Sequence, residues 1–157
     1  MSTMIYFVLG DSVLTPPARL RNTDAGYDIA SSESGEIPPW STKLIETDMS
    51  VVFPEGCYGQ LVDRSSLAKR GLHVTGGVID ETYRGKILVS IQNFSCTPWK
   101  YVAGDRIAQL LPRTNVSKTW QSECITDSQA ENCNFNISDR GALGFGSSGI
   151  SKWIQNF

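Results

Sequence analysis

The stretch Val74-Thr75-Gly76-Gly77-Val78-Ile79-Asp80-Glu81-Thr82-Tyr83-Arg84-Gly85 decides how the rest of the chain is read. Paired glycines lead into apolar Val78-Ile79, then a carboxylate, Asp80, and three residues later an aromatic, Tyr83. Beyond Gly85 the apolar residues Ile87, Val89 and Ile91 alternate with other residues. Alternation of period two bounded by glycines reads as a β-hairpin with an acid and an aromatic at its turn. By itself an Asp-x-x-Tyr turn is only a turn, so its meaning depends on what else the chain carries.

Outward from the hairpin, apolar residues recur in short runs. Strands are expected over Met4–Leu9, Gly26–Ala30, Lys43–Glu46, Met49–Phe53, Cys57–Asp63, Lys86–Asn93, Trp99–Val102 and Arg106–Leu111. Pro16-Pro17, Pro38-Pro39, Pro54-Glu55-Gly56, Pro98 and Ala103-Gly104-Asp105 break the chain between them. Many short strands with glycine and proline turns predict an all-β sandwich or barrel. One helical turn is expected at Ser65–Lys69, and no internal repeat is seen. Residues 115–139 are polar, and Arg140-Gly141-Ala142-Leu143-Gly144-Phe145-Gly146-Ser147-Ser148-Gly149 follows. This organisation predicts a domain over residues 1–138 and a glycine-rich arm over 139–157 that orders over a ligand or partner.

The 157 residues suffice for one sizeable core, and 40% hydrophobic with 19% charged residues marks a globular chain. A net charge of −2 gives no global reason to bind nucleic acid or a membrane surface. No run approaches the ~20 apolar residues of a membrane span, and no secretory signal is seen. The cysteines (Cys57, Cys96, Cys124, Cys133) form no C-x-x-C pair, and His73 is the single histidine, so no zinc spacing is present. An intracellular location, cytoplasmic or nuclear, with free thiols is expected. The Asn-x-Ser sequons at Asn93, Asn115 and Asn136 then carry no glycan.

Four further segments hold chemistry. Gly144-Phe145-Gly146-Ser147-Ser148-Gly149 has the form G-x-G-x-x-G, but a dinucleotide fold needs a helix after it and only eight residues remain. Successive unhindered N–H groups can still cup phosphate oxygens. Arg140 adds a cation and Phe145 a ring for a base; a solvated Gly/Ser tail is the other reading. Asp63-Arg64-Ser65-Ser66-Leu67-Ala68 puts an arginine and two hydroxyls at a helical turn, either an anion site or a simple N-cap by Ser65. Ala25-Gly26-Tyr27-Asp28-Ile29 places a carboxylate at the head of a strand. Gly104-Asp105-Arg106-Ile107-Ala108-Gln109-Leu110 places an amide in a strand that opens from a tight turn.

In this order, A-G-Y-D-I, D-R-S-S-L-A, G-V-I-D-E-T-Y-R-G, G-D-R-I-A-Q-L and R-G-A-L-G-F-G-S-S-G resemble the five motifs of the trimeric dUTPase family (deoxyuridine triphosphate nucleotidohydrolases). The match spans Ala25 to Gly149, and the third and fifth motifs are the specific ones. The resemblance implies a distorted jelly-roll β-barrel, a homotrimer with sites at subunit interfaces, and hydrolysis of dUTP to dUMP and pyrophosphate with Mg²⁺. That reaction keeps uracil out of DNA and supplies dUMP for thymidylate synthesis.

It also implies roles. Asp80 would be the general base, and Asp28 an outer-sphere partner of the metal through water. Arg64, Ser65 and Ser66 would hold phosphates and Gln109 the α-phosphate region. Tyr83 would pack under the sugar. Gly77, Val78, Ile79 and Asp80, with Leu88, would meet uracil. Arg140, Phe145, Gly146, Ser147 and Ser148 would close from the tail. The chain departs from the family pattern at Asp63, which would put a negative charge near phosphate, at Ser66, and at Thr82, which would keep a turn-capping oxygen. R-S-S-L-A is also written by the sister dCTP deaminases, but their catalytic Glu falls at Ser90 here. A binding or signalling module on the same fold would be expected to have lost Asp80, Tyr83 or the tail; all are present.

Overall fold

The computed structural model of the chain describes residues 4–124 and 126. The strands are β1 Tyr6–Leu9, β2 Tyr27–Ala30, β3 Gly35–Ile37, β4 Thr42–Glu46, β5 Met49–Val52, β6 Cys57–Val62, β7 Leu72–Thr75, β8 Val78–Ile79, β9 Leu88–Asn93, β10 Trp99–Tyr101 and β11 Arg106–Thr114. One helical turn, α1 Ser65–Ala68, follows β6, and a 3-10 turn, Val116–Thr119, follows β11. The compact unit that carries these elements ends at Thr119.

All strand pairs are antiparallel. The largest sheet runs β2-β11-β6-β8 and the next β4-β9-β7, with β1-β5 and β10-β3 as separate pairs. Strands distant in sequence are neighbours, as when β11 lies between β2 and β6, which is the connectivity of a jelly roll rather than a meander. In β9 the pleat buries Val89, Ile91 and Asn93 and turns Leu88 outward. Ile29, Ile45, Met49, Val51, Ile107 and Leu110 complete the same interior. Asn93 is fully buried, and its amide faces the carbonyls of Ile37, Pro38 and Thr97 while its oxygen accepts from Ser95 N–H and Oγ–H.

The expected strands are found with ends shifted by a few residues. Three more were missed: β3, β7 and β8. The hairpin itself differs from the expectation. Its arms are β7 and β9, with Thr75 opposite Ser90, and Val78–Ile79 leaves it to pair with Gly59 and Gln60 of β6. The reason is local. Gly76 takes a left-handed φ of 62°, which turns the chain off β7. Gly77 then packs so closely on β6 that a Cβ there would run into the Leu61 carbonyl oxygen, while its own carbonyl accepts Leu61 N–H at 2.6 Å. The hairpin tip therefore bridges two sheets.

Candidate active site

Bridging the sheets opens a cavity of about 180 Å³ lined by Leu61, Gly76, Val78, Ile79, Asp80, Tyr83, Ile87 and Leu88. Ile79 is buried and anchors the turn, and Asp80 follows it with an exposed side chain. Among the described residues nothing hydrogen-bonds the Asp80 carboxylate; only its backbone carbonyl is used, by Tyr83 N–H at 3.1 Å. A carboxylate free of partners at a cavity mouth keeps its lone pairs for a ligand or water. Tyr83 is held by donating its hydroxyl to the Lys86 carbonyl at 2.9 Å. Its ring lies against Gly85, where a Cβ would collide with it. Gly77 sits just outside this lining, in an adjoining cavity of about 290 Å³ shared with Gln60, Asp63, Val74 and Val78.

A second group forms at the other end of β6. The Asp28 carboxylate accepts Arg64 Nε–H at 3.1 Å, Arg106 Nη1–H at 3.1 Å and Gln109 Nε2–H at 3.3 Å. β2 and β11 set this up by placing Gln109 opposite Asp28. Arg64 also donates Nη1–H to the Arg106 carbonyl at 3.1 Å. Ser65 and Ser66 follow on the exposed start of α1, whose single buried residue is Leu67. The simple N-cap reading of Ser65 fails: Arg64 occupies the cap position and no side chain caps the turn. Both hydroxyls are without protein partners among the described residues. Together the group offers two guanidinium groups, an amide and two hydroxyls, a donor set suited to phosphate oxygens.

Asp63 points away from that donor set. Its carboxylate accepts Val74 N–H at 2.5 Å and sits 2.7 Å from His73 Nδ1, on β7. Among the described residues Thr82 makes no side-chain hydrogen bond, so the capping role expected of it is not seen there. Ser90, where a deaminase would carry its acid, pairs its hydroxyl with Thr75 Oγ1 at 2.7 Å. Among the described residues no group of three His, Cys, Asp or Glu side chains could cage a metal. Asp28 is already matched by two guanidinium groups.

The structure thus brings Val78, Ile79, Asp80, Tyr83 and Leu88 to one cavity and Asp28, Arg64 and Gln109 to one cluster. No described contact or shared lining joins the two groups within one chain. Arg140, Phe145, Gly146, Ser147 and Ser148 lie outside the described residues. Sequence reasoning missed Arg106, although it sits in G-D-R-I-A-Q-L, and missed Glu81 and Lys118. The Glu81 carboxylate accepts Gly56 N–H at 3.1 Å and lies 2.8 Å from Lys118 Nζ. The hydrogen bond from Lys118, helped by Gly56 N–H, holds Glu81 below the usual carboxylate range, and Glu81 in turn raises Lys118. No helix of the described residues is long and apolar enough to cross a membrane.

Comparison with known proteins agrees with this arrangement. A family model described as dUTPase matches residues 14–149. The deoxyuridine 5'-triphosphate nucleotidohydrolase of cowpox virus is 38% identical over 151 residues, covering 96% of each chain. That of fowl adenovirus A is 37% identical over 153 residues, covering 97% of this chain and 81% of the relative. Among solved structures, a variant of the Staphylococcus bacteriophage 80alpha dUTPase with dUpNHpp superposes with a TM-score of 0.79 at 28% identity, covering 95% of this chain and 100% of the phage protein. A variant of the phage phi11 dUTPase, described for its coordination of a structural Mg(II) ion, superposes with a TM-score of 0.68 at 26% identity, covering 78% and 95%. A cavity with a free carboxylate, a separate cluster of phosphate-suited donors, and relatives that match nearly end to end all agree, and the chain belongs to the dUTPase family.

Proposed function

We propose that the chain is a dUTP diphosphatase, converting dUTP and water to dUMP and pyrophosphate. The observation that carries this reading is the Asp80 carboxylate, exposed at the mouth of the hairpin cavity beside Tyr83 and without a partner among the described residues. In its ionised form Asp80 takes a proton from water as the water oxygen attacks the α-phosphorus. The bond to the bridging oxygen breaks, and pyrophosphate leaves. A carboxylate does this when it lies within ~3 Å of the water. Among the described residues the Asp80 side chain has no hydrogen bond or ion pair to give up before doing so.

The uracil fits the cavity edge formed by the backbone from Gly77 to Asp80 and by Leu88. The β8–β6 contacts fix that backbone, and a fixed donor–acceptor edge rejects a mismatched polar base strongly. The Tyr83 ring, tethered through its hydroxyl, packs under the sugar and leaves no room for a 2′-hydroxyl. Arg64, Ser65, Ser66 and Gln109 take the phosphates. Mg²⁺ would supply charge to offset that of the phosphates, and Asp28 would be its outer-sphere partner through water.

Because the base and the phosphate donors sit apart in one chain, we place each complete site between chains of a homotrimer. The domain of residues 1–138 would supply the barrel. The arm of 139–157 would close with Arg140 on the γ-phosphate, Phe145 on the base, and Gly146, Ser147 and Ser148 along the phosphates. Ser90, engaged with Thr75, gives a deaminase no acid to use.

Asp80→Asn tests the reading. It keeps the shape and removes the proton acceptor, so the variant should fold and bind dUTP while turnover falls by a factor on the order of 10²–10⁴. Pyrophosphate release is measured from dUTP beside dCTP, dTTP and UTP, with and without Mg²⁺. Turnover of the variant within threefold of the parent ends the assignment.

A further inference from the structure

The turn that carries Asp80 spans open space. Behind it lies a cavity of about 380 Å³ whose lining includes Tyr58, Val78, Asp80, Glu81, Asn115 and Ser117. Among the described residues Asp80 itself makes no side-chain hydrogen bond that would fix its direction. The residue before it, Ile79, is buried and pinned to β6. The residue after it, Glu81, is held from two remote parts of the chain. Glu81 Oε2 accepts Gly56 N–H at 3.1 Å, from the turn between β5 and β6. Lys118 Nζ, from the 3-10 turn beyond β11, lies 3.0 Å from Oε1 and 2.8 Å from Oε2. Arg84 closes the turn locally, donating Nη1–H to the Glu81 carbonyl at 2.7 Å.

We propose that Glu81 and Lys118 are positioning residues that hold the Asp80 turn across this gap and so set where the general base stands. The inference rests on the reading of Asp80 as the base. The pair has little to do for stability: Lys118 is half exposed, and exposed ion pairs contribute little. Placement is a different quantity. A shift of about 1 Å in a catalytic group costs on the order of 10²-fold in rate. The Lys118 ammonium bridges both carboxylate oxygens, so losing it leaves the turn with the Gly56 contact alone on that side.

The test uses the full chain in four variants: Lys118→Met, Glu81→Gln, the double substitution and Lys118→Arg. Steady-state dUTP hydrolysis and thermal melting are measured for each. Lys118→Met and Glu81→Gln should each lower kcat about tenfold, with KM within twofold and the melting temperature within about 3 °C. The double variant should fall no further than the worse single one, because the two act as a unit. Lys118→Arg should restore kcat to within threefold of the parent. A kcat unchanged within twofold in both single variants overturns the proposal. So does a melting temperature lowered by more than about 5 °C, or a KM that rises as much as kcat falls. A parent that releases no pyrophosphate from dUTP, or an Asp80→Asn variant that stays active, overturns the reading of the base itself. An active parent with an inactive Asp80→Asn and unaffected Lys118→Met overturns the clamp alone.

Discussion

Asp28 meets Arg64 along two edges, Oδ1 with Nε at 3.1 Å and Oδ2 with Nη2 at 3.4 Å, and so fixes the direction of the guanidinium. The Asp28 side chain is only 16% exposed, and Arg106 and Gln109 share it. Asp28→Ala therefore leaves two guanidinium groups side by side without their counter-charge. Charged hydrogen bonds of this kind contribute about 1.5–3 kcal/mol, and denaturant unfolding should show a loss of about 2 kcal/mol. KM for dUTP should rise roughly tenfold, the equivalent of ~1.4 kcal/mol, because Arg64 no longer points one way. An unchanged KM would mean that Arg64 does not need Asp28 to meet phosphate.

Sugar choice should depend on two residues. Tyr83→Ala removes the ring under the sugar and should raise turnover of UTP relative to dUTP. Gly85→Ala should do the same with Tyr83 intact, since its new methyl occupies the place of the ring and its hydroxyl. The ratio of kcat/KM for the two nucleotides is the measurement. Ratios equal to the parent's in both variants would place the discrimination elsewhere.

Acid should weaken the fold in a predictable window. Glu81 is held below the ordinary carboxylate range chiefly by Lys118, and Asp48 chiefly by Ser12 N–H and then by Lys86. A carboxylate depressed in the folded state stabilises above its unfolded pKa, near 4, and loses that contribution as pH falls through its folded value. Lys118 is raised, so its share is present below the ordinary lysine pKa and is lost only as pH climbs past the raised one. Unfolding free energy should be level across neutral pH and decline below about pH 4. Asp48→Asn should flatten that decline, and Glu81→Gln should do so only slightly, since its exposed pair with Lys118 contributes little to stability. Asparagine suits position 48, whose φ of 51° is left-handed. A decline of unchanged depth in both variants would refute these two carboxylates as its source.

Complementation should reveal how the sites are shared. The compact unit ends at Thr119, and the 20 residues 120–139 could span up to ~70 Å fully extended, far enough to reach a neighbouring subunit. Asp80→Asn and a chain ending at Ser138 should each be nearly inactive or severely impaired. Refolded together as mixed trimers, they should regain activity, because some sites would then combine an intact Asp80 with an intact arm. Mixed trimers confirmed by mass that gain nothing over the separate variants would rule out the shared site.

Much of this was legible in residue order. The alternation of Ile87, Val89 and Ile91 located the core face of β9, and Asp80, Tyr83, Arg64 and Gln109 stood in short segments of specific composition. β3 escaped because Gly35-Glu36-Ile37 is too short to show a period. Val78–Ile79 was assigned to the hairpin because its partner, β6, lies far back in the chain. Only the glycine-tight approach to Leu61 reveals that pairing. Glu81 drew no reading from the sequence for the same reason: Gly56 and Lys118 reach it from 25 and 37 residues away.

Asn93 has a consequence for how the protein can be made. Asn93-Phe94-Ser95 is an acceptor sequence for N-linked glycans, yet the folded barrel uses the amide nitrogen of Asn93 to face three backbone carbonyls in its interior. In a secretory host, oligosaccharyl transfer would meet the nascent chain before the barrel closes. A sugar there would keep the end of β9 from entering the interior. A barrel that needs the Asn93 amide in its interior is therefore at odds with glycosylation at this residue, and a chain carrying a sugar there should misfold.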